Sequence, residues 1–202
     1  MERTNTITLV GVPTSRPEYS HTNHGRRFFA FELEVARLSG AVDTLPILAS
    51  EALLATTEVT QGSCLRITGQ IRSHNSRALT GRRLIISVLA DTLEFCDEAH
   101  ENEVELCGVI CKEPTYRRTP LGREICDIML AVNRPYHRAD YLPCILWGRN
   151  AQEASAYPVG ATLLLRGRLQ SRNYIKLLAD LAEQRTAYEV SVIDAQIAEP
   201  MQ

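Results

Sequence analysis

A constant-offset internal repeat restricts this chain more than any other feature. Asn5-Thr6-Ile7-Thr8-Leu9-Val10-Gly11-Val12 aligns with Asn102-Glu103-Val104-Glu105-Leu106-Cys107-Gly108-Val109, and the offset of 97 holds for some forty positions. Pro17, Tyr19, Thr22, Gly25 and Arg26 meet Pro114, Tyr116, Thr119, Gly122 and Arg123. Leu33, Val35, Arg37, Asp43, Leu45 and Pro46 meet Leu130, Val132, Arg134, Asp140, Leu142 and Pro143. After a slip of one residue, Gly62, Leu65, Gly69, Ser73 and Asn75 meet Gly160, Leu163, Gly167, Ser171 and Asn173. Chance does not hold a register that long, so the chain is a duplicated unit. The division is into 1–98 and 102–198, parted by the acidic stretch Asp97-Glu98-Ala99-His100-Glu101. So short a connection predicts two units packed together rather than tethered.

The second copy is the easier to read. Glu103–Val109 alternates polar and apolar residues, as a half-buried strand does. Residues 113–122 form a connection with two prolines and a glycine. Ile125–Val132 and Tyr141–Trp147 are the next strands. Asn150–Ala156 reads as a short helix with Asn150 as N-cap and Pro158 beyond its end. Thr162–Leu169, with a bulge at Gly167, and Arg185–Ile193 complete the set. The first copy repeats the order, with its helix near Glu51–Thr57 and its last strand near Arg83–Thr92. Three strands, a helix and two strands are the order of the OB-fold, the five-stranded Greek-key barrel that binds oligomers across its middle strands and loops. The expected class is all-β: two consecutive OB-folds, each with a short helix between strands 3 and 4.

Charge separates the copies, although the whole chain carries only −2. Residues 112–176 hold eleven Lys or Arg against five Asp or Glu, whereas residues 1–98 hold ten against eleven. The basic excess of the second copy fits either a nucleic-acid surface or an ordinary solvated face. The six cysteines (Cys64, Cys96, Cys107, Cys111, Cys126 and Cys144) form no CxxC pair and sit mostly in apolar segments. Reduced thiols are expected, with no metal site and no cofactor. No apolar run nears the roughly 20 residues of a membrane span, and the N-terminus lacks a signal-peptide pattern, so the expectation is a cytoplasmic protein with no membrane partner. Phosphate-loop, nucleophile-elbow and HExxH motifs are absent, which argues against an enzyme.

Asn102–Val109, Pro114-Thr115-Tyr116, Thr119–Gly122, Leu130–Arg134, Ile145–Arg149, Tyr157, Gly160 and Leu165–Tyr174 together resemble the bacterial single-stranded DNA-binding protein (SSB) family. The similarity runs from about 102 to 196; the first copy resembles the family weakly, mainly over 5–46. It implies an OB-fold that binds single-stranded DNA in replication, recombination or repair and acts near the nucleoid. The family's base-stacking positions fall on Tyr136, Tyr141, Trp147 and Tyr174. Arg134, Arg138, Arg149, Arg166, Arg168 and Arg172 are placed to contact phosphates. Aromatic stacking tolerates any base, and cation–phosphate contact makes affinity salt-dependent. Family assembly implies a homodimer presenting four barrels. The family's Gly- and Pro-rich tail with an acidic tip has no counterpart before Gln202, so tail-mediated recruitment of repair proteins is not expected.

In the first copy Ser39, Thr44 and Ser76 stand opposite Tyr136, Tyr141 and Tyr174, while Ala49 or Ser50 stands opposite Trp147. That copy is therefore expected to serve assembly, partner contact or weak backbone contact through Arg26, Arg27, Arg82 and Arg83. Phe29 and Phe31 alternate onto its core face. The segment Ile175–Gln184 is expected to offer an apolar side to the barrel or to another chain. The competing reading is an OB-fold interaction module, a degenerate SSB or primosomal relative with weak or no DNA binding; RNA binding would use the same surface.

Overall fold

A computed structural model describes residues 5–78, 81–97, 100–178 and 181–198, with side chains excepted at 77–78, 81–83, 176–178 and 181. The first copy comprises β1 (Asn5–Pro13), β2 (Glu18–Asn23), β3 (Arg26–Ala36), β4 (Val42–Ser50), α1 (Glu51–Leu54), β5 (Leu65–Ala78) and β6 (Gly81–Phe95). The second comprises β7 (Glu101–Ile110), β8 (Thr115–Arg118), β9 (Glu124–Arg134), β10 (Arg138–Trp147), α2 (Gly148–Ala154), β11 (Thr162–Leu178) and β12 (Leu181–Ile197). In each copy the pairings return on themselves. β1 pairs with β3 and β5, β3 with β4, β4 in parallel with β6, and β6 with β5. β7, β9, β10, β12 and β11 repeat the circuit. This is the expected pair of OB-folds.

Period-two alternation builds each core. Leu33, Val35, Leu45, Ile47, Leu65 and Ile67 are buried in the first barrel; Leu130, Val132, Leu142, Cys144, Leu163 and Leu165 take the same places in the second. Close backbone approach explains the glycines that recur on the barrel strands. A Cβ on Gly69 would lie 2.2 Å from the Leu89 carbonyl oxygen, and one on Gly167 would lie 2.4 Å from that of Ser191. Both sit beside a shift of register, at Thr68/Gly69 and Arg166/Gly167, so the bulge expected at Gly167 is present in both copies.

Several elements differ from expectation. The turn-rich connection contains a short outer strand, β8, and the first copy has β2 in the same place. α2 starts at Gly148, not at Asn150, because β10 runs straight into it through a Gly148 φ of +56°. The Asn150 side chain instead donates to the Ile193 carbonyl at 3.1 Å. β11 runs past Leu169 and β12 starts before Arg185, so Ile175–Leu178 and Leu181–Gln184 belong to a long antiparallel arm, with Ile175 exposed. Phe31 is in the core, but Phe29 is only half-buried. It packs edge-on against Tyr19 at 6.0 Å, outside the barrel.

The barrels are joined by β1 and β7, antiparallel from Asn5↔Leu106 to Val10↔Glu101. Ile7 pairs with Val104, its own equivalent in the repeat, so the junction has an approximate two-fold axis there. A reciprocal polar clasp follows that symmetry. Asp140, with no exposed surface, accepts from the Ser73 N–H at 2.7 Å and from Arg72 Nη1 at 3.0 Å. Asp43, equally enclosed, accepts from the Ser171 N–H at 2.7 Å and from Arg37 Nε at 2.6 Å. Each barrel thus caps a strand of the other with a buried carboxylate, and the close packing expected of the two units is present. No helix among the described residues is long and apolar enough to cross a membrane.

Candidate nucleic-acid interface

On β11 the odd positions Leu163, Leu165 and Leu169 face the core, which turns Arg166, Arg168, Arg172 and Tyr174 to the outside in one row, with Gln170 on the same face but buried against Glu189. On β10 the even positions Leu142, Cys144 and Leu146 face the core, Tyr141 and Trp147 are exposed on the other face, and Ile145 between them is buried beneath the groove. β12 lies between the two strands, with Ser191 opposite Arg168 and Glu189 opposite Gln170. Trp147 lies across this surface and its Nε1–H donates to Ser191 Oγ at 3.1 Å. That bond fixes the indole plane while leaving the ring accessible.

These residues floor a groove of about 650 Å³. The β8–β9 hairpin lines one side with Arg117, Thr119, Arg123 and Ile125, and Arg37 enters from the N-terminal barrel. Five arginines line the groove (Arg37, Arg117, Arg123, Arg168 and Arg172) against one carboxylate, Glu189. Arg172 is 3.4 Å from Glu189, and its guanidinium lies 5.8 Å from the Tyr174 ring centroid. Arg117 pairs with Asp127 at 2.7 Å, a hydrogen bond that raises its pKa; the bond to Asp43 does the same for Arg37. Arg168 has no ion pair among the described residues, and its Nε is enclosed without a hydrogen-bond acceptor.

All four expected stacking residues are exposed: Tyr136 at 92%, Tyr141 at 45%, and Trp147 and Tyr174 at 37% each. They do not form one cluster. Trp147 lies in the groove and Tyr174 adjoins it through Arg172. Tyr141 is six residues from Trp147 along β10, roughly 20 Å at strand rise, beside the barrel junction, where its N–H donates to Ser73 Oγ at 2.7 Å. Tyr136 is at the tip of the β9–β10 turn with φ of +64°. The cations divide likewise. Arg168 and Arg172 line the groove, and Arg166 is exposed on the same row. Arg134 is drawn to Asp140 at 3.4 Å, Arg138 is exposed at the foot of β10, and Arg149 pairs with Glu153 at 2.9 Å.

The pairing also fixes the position opposite Trp147. Ile125 pairs with Trp147 as Phe28 pairs with Ser50, so the counterpart is Ser50 and not Ala49. Ser50 caps α1, its Oγ accepting from the Leu53 N–H at 3.3 Å, whereas Trp147 makes no side-chain cap to α2. The second barrel forgoes a cap worth about 1 kcal/mol and exposes an indole at that place. In the first barrel Arg27 is bound to Glu51 at 2.6 Å and lies over the Tyr19 and Phe29 rings at 5.5 and 5.4 Å. Arg26 is exposed, and the side chains of Arg82 and Arg83 lie outside the described residues.

Arg37, Arg117, Arg123, Gln170 and Ser191 were not among the expected contacts. Arg117 and Arg123 belong to the basic cluster visible in the sequence. Arg37 gives no such signal, because it reaches the Ser171 carbonyl across 134 residues of chain.

Paired barrels, the second bearing an arginine-lined outer groove with an exposed indole, place the chain in the tandem OB-fold class. Residues 101–198 match the model of the Single-strand binding protein family. Among similar proteins, Single-stranded DNA-binding protein 1 of Staphylococcus aureus (strain COL) is 39% identical over 80 residues, covering 36% of this chain and 48% of that one. The single-stranded DNA-binding protein of Halalkalibacterium halodurans is 32% identical over 108 residues, 49% of this chain and 61% of that one. The chain thus spans about half the length of the curated relatives it matches. The wild-type single-stranded DNA-binding protein of Thermus aquaticus has the same fold across both barrels. Its TM-score is 0.78 at 21% identity, with 98% of this chain and 95% of that one covered.

Proposed function

We propose that this protein binds single-stranded DNA with little sequence preference, through the outer groove of its C-terminal barrel, and catalyses no reaction. The observation that carries this is Arg168 and Arg172 on β11 beside Trp147, in a groove where five arginines meet one carboxylate, with Tyr174 next to it against Arg172. An indole presents a π-face to any base, with stacking worth about 1–3 kcal/mol per base, and the guanidinium groups displace counterions from the backbone. In this reading the N-terminal barrel serves assembly more than base stacking, and replication, recombination or repair near the nucleoid is the setting. Two chains together would present four barrels; light scattering should then give twice the 22.6 kDa of one chain.

Trp147 is the sole tryptophan, so its fluorescence reports on the groove. Titration with oligo-dT should quench it, and the affinity should fall as salt rises. An unquenched indole and no binding at low salt would leave the interaction-module reading in its place. Competition by oligo-U distinguishes DNA from RNA preference.

A further inference from the structure

The N-terminal barrel brings two thiols into contact that the groove does not use. Cys64 directly precedes β5 and Cys96 directly follows β6, so they form the next cross-strand pair after Leu65↔Phe95. The Cys96 N–H donates to the Cys64 carbonyl at 3.1 Å, and the two Sγ atoms are 3.3 Å apart. Both residues are half-buried, so a small reagent reaches them.

The repeat supplies an internal control. In the second barrel Leu163 pairs with Ile197, so Thr162 and Ala198 occupy the equivalent places, and the Ala198 N–H donates to the Thr162 carbonyl at 2.9 Å. The same strand junction forms there without sulfur. The thiols at 64 and 96 are therefore not required by barrel geometry, and their contact calls for a chemical explanation.

We propose that Cys64 and Cys96 form a dithiol–disulfide site, oxidised by a low-molecular-weight disulfide such as oxidised glutathione. One protein thiolate attacks the glutathione disulfide, forming a mixed disulfide and expelling one glutathione thiolate. The second protein thiolate attacks the protein sulfur of that adduct, closing the Cys64–Cys96 bond and expelling the other glutathione. The protein gives up two electrons and two protons, and one oxidised glutathione becomes two reduced ones. Burial, with the hydrogen bond to Cys96, pushes the Cys64 thiol up to about 11. Little thiolate is present at neutral pH, and the pair stays reduced until an oxidant is supplied. Once closed, the bond ties both ends of the β5–β6 arm, the arm that carries Arg72 and Ser73 of the interdomain clasp.

Full-length protein incubated with oxidised glutathione, then alkylated under denaturing conditions and digested, should show two of the six cysteines protected. The Cys64 and Cys96 peptides should be joined and lighter by two hydrogens, and dithiothreitol should restore all six thiols. Oxidation should raise the Tm by several degrees, as a bridge closing a loop of this length does. Cys64→Ser or Cys96→Ser alone should trap a stable glutathione adduct on the remaining thiol. Cys64→Thr with Cys96→Ala, the pair present in the other barrel, keeps the fold testable and should lose both protection and the Tm rise. Six alkylated cysteines after oxidation, or a bridge between any other pair, overturns the proposal.

Discussion

Trp147 and Arg168 differ in how their polar atoms are used. The indole is held by Ser191 at 3.1 Å and faces solvent, and the Arg168 Nε is enclosed without a partner. Arg168→Met keeps the apolar stem but removes the charge. If Arg168 meets a phosphate, the slope of log affinity against log salt should shrink by about one, with the fold unchanged. Tyr174→Ala should weaken oligo-dT binding by about 1–3 kcal/mol. Tyr136→Ala should matter less for short oligonucleotides, because Tyr136 is at a turn tip away from the groove; equal losses would move the binding path. Of the four aromatic positions read from the sequence, Trp147 lies in the groove and Tyr174 beside it, while Tyr141 is at the junction end of β10 and Tyr136 in the β9–β10 turn. Sequence spacing gives each side chain a face of its strand but not the curvature that decides which faces meet.

At the level of the strand and its turns, alternation did most of the work. Period-two patterning located the core strands of both copies, and the glycine inside Thr162–Leu169 marked a real shift of register. The steric reason for Gly167 is testable. Gly167→Ala would set a Cβ 2.4 Å from the Ser191 carbonyl oxygen and should destabilise the protein by about 1–3 kcal/mol in urea. Gly69→Ala, with 2.2 Å to Leu89, should behave alike. The outer parts of β11 and β12, Ile175–Leu178 and Leu181–Gln184, carry apolar residues without strand alternation, so no local pattern marks them as strands. Pairing with the neighbouring strand, from Tyr174↔Arg185 onward, holds them extended instead. The helix start was misplaced for a related reason. Asn150 is a good cap in isolation, but here its amide is used on the Ile193 carbonyl across 43 residues.

For the molecule as a whole, the clasp across the two-fold axis is the strongest structural commitment. Asp140 has no exposed surface and holds the Ser73 N–H and Arg72 from the other barrel. Removing one side of such a buried arrangement leaves cations and amides without partners. Asp140→Ala and Asp43→Ala should each cost about 3–5 kcal/mol, measured by denaturant unfolding of the full chain. A C-terminal half expressed alone would retain Asp140 and Ser171, the two complementary parts of the clasp, and would expose β7. It should therefore dimerise through β7 in the register that β1 now occupies; a monodisperse monomer by size-exclusion chromatography would contradict this. The same junction brings Arg37 to the groove, so the N-terminal barrel contributes to the surface on which the second barrel is proposed to bind DNA.

The sequence by itself determined the duplication, the strand order and the outward basic and aromatic residues of β11, because repeats and alternation are local and survive without neighbours. It also marked the asymmetry between copies, with Ser39, Thr44 and Ser76 against Tyr136, Tyr141 and Tyr174. Only the tertiary structure decided that Arg37 belongs to the groove, that Tyr136 and Tyr141 stand apart from it, and that Cys64 touches Cys96. Those are contacts between residues 32 to 134 positions apart or between separate strands of a curved sheet. They depend on how two barrels close and dock, which no local pattern encodes.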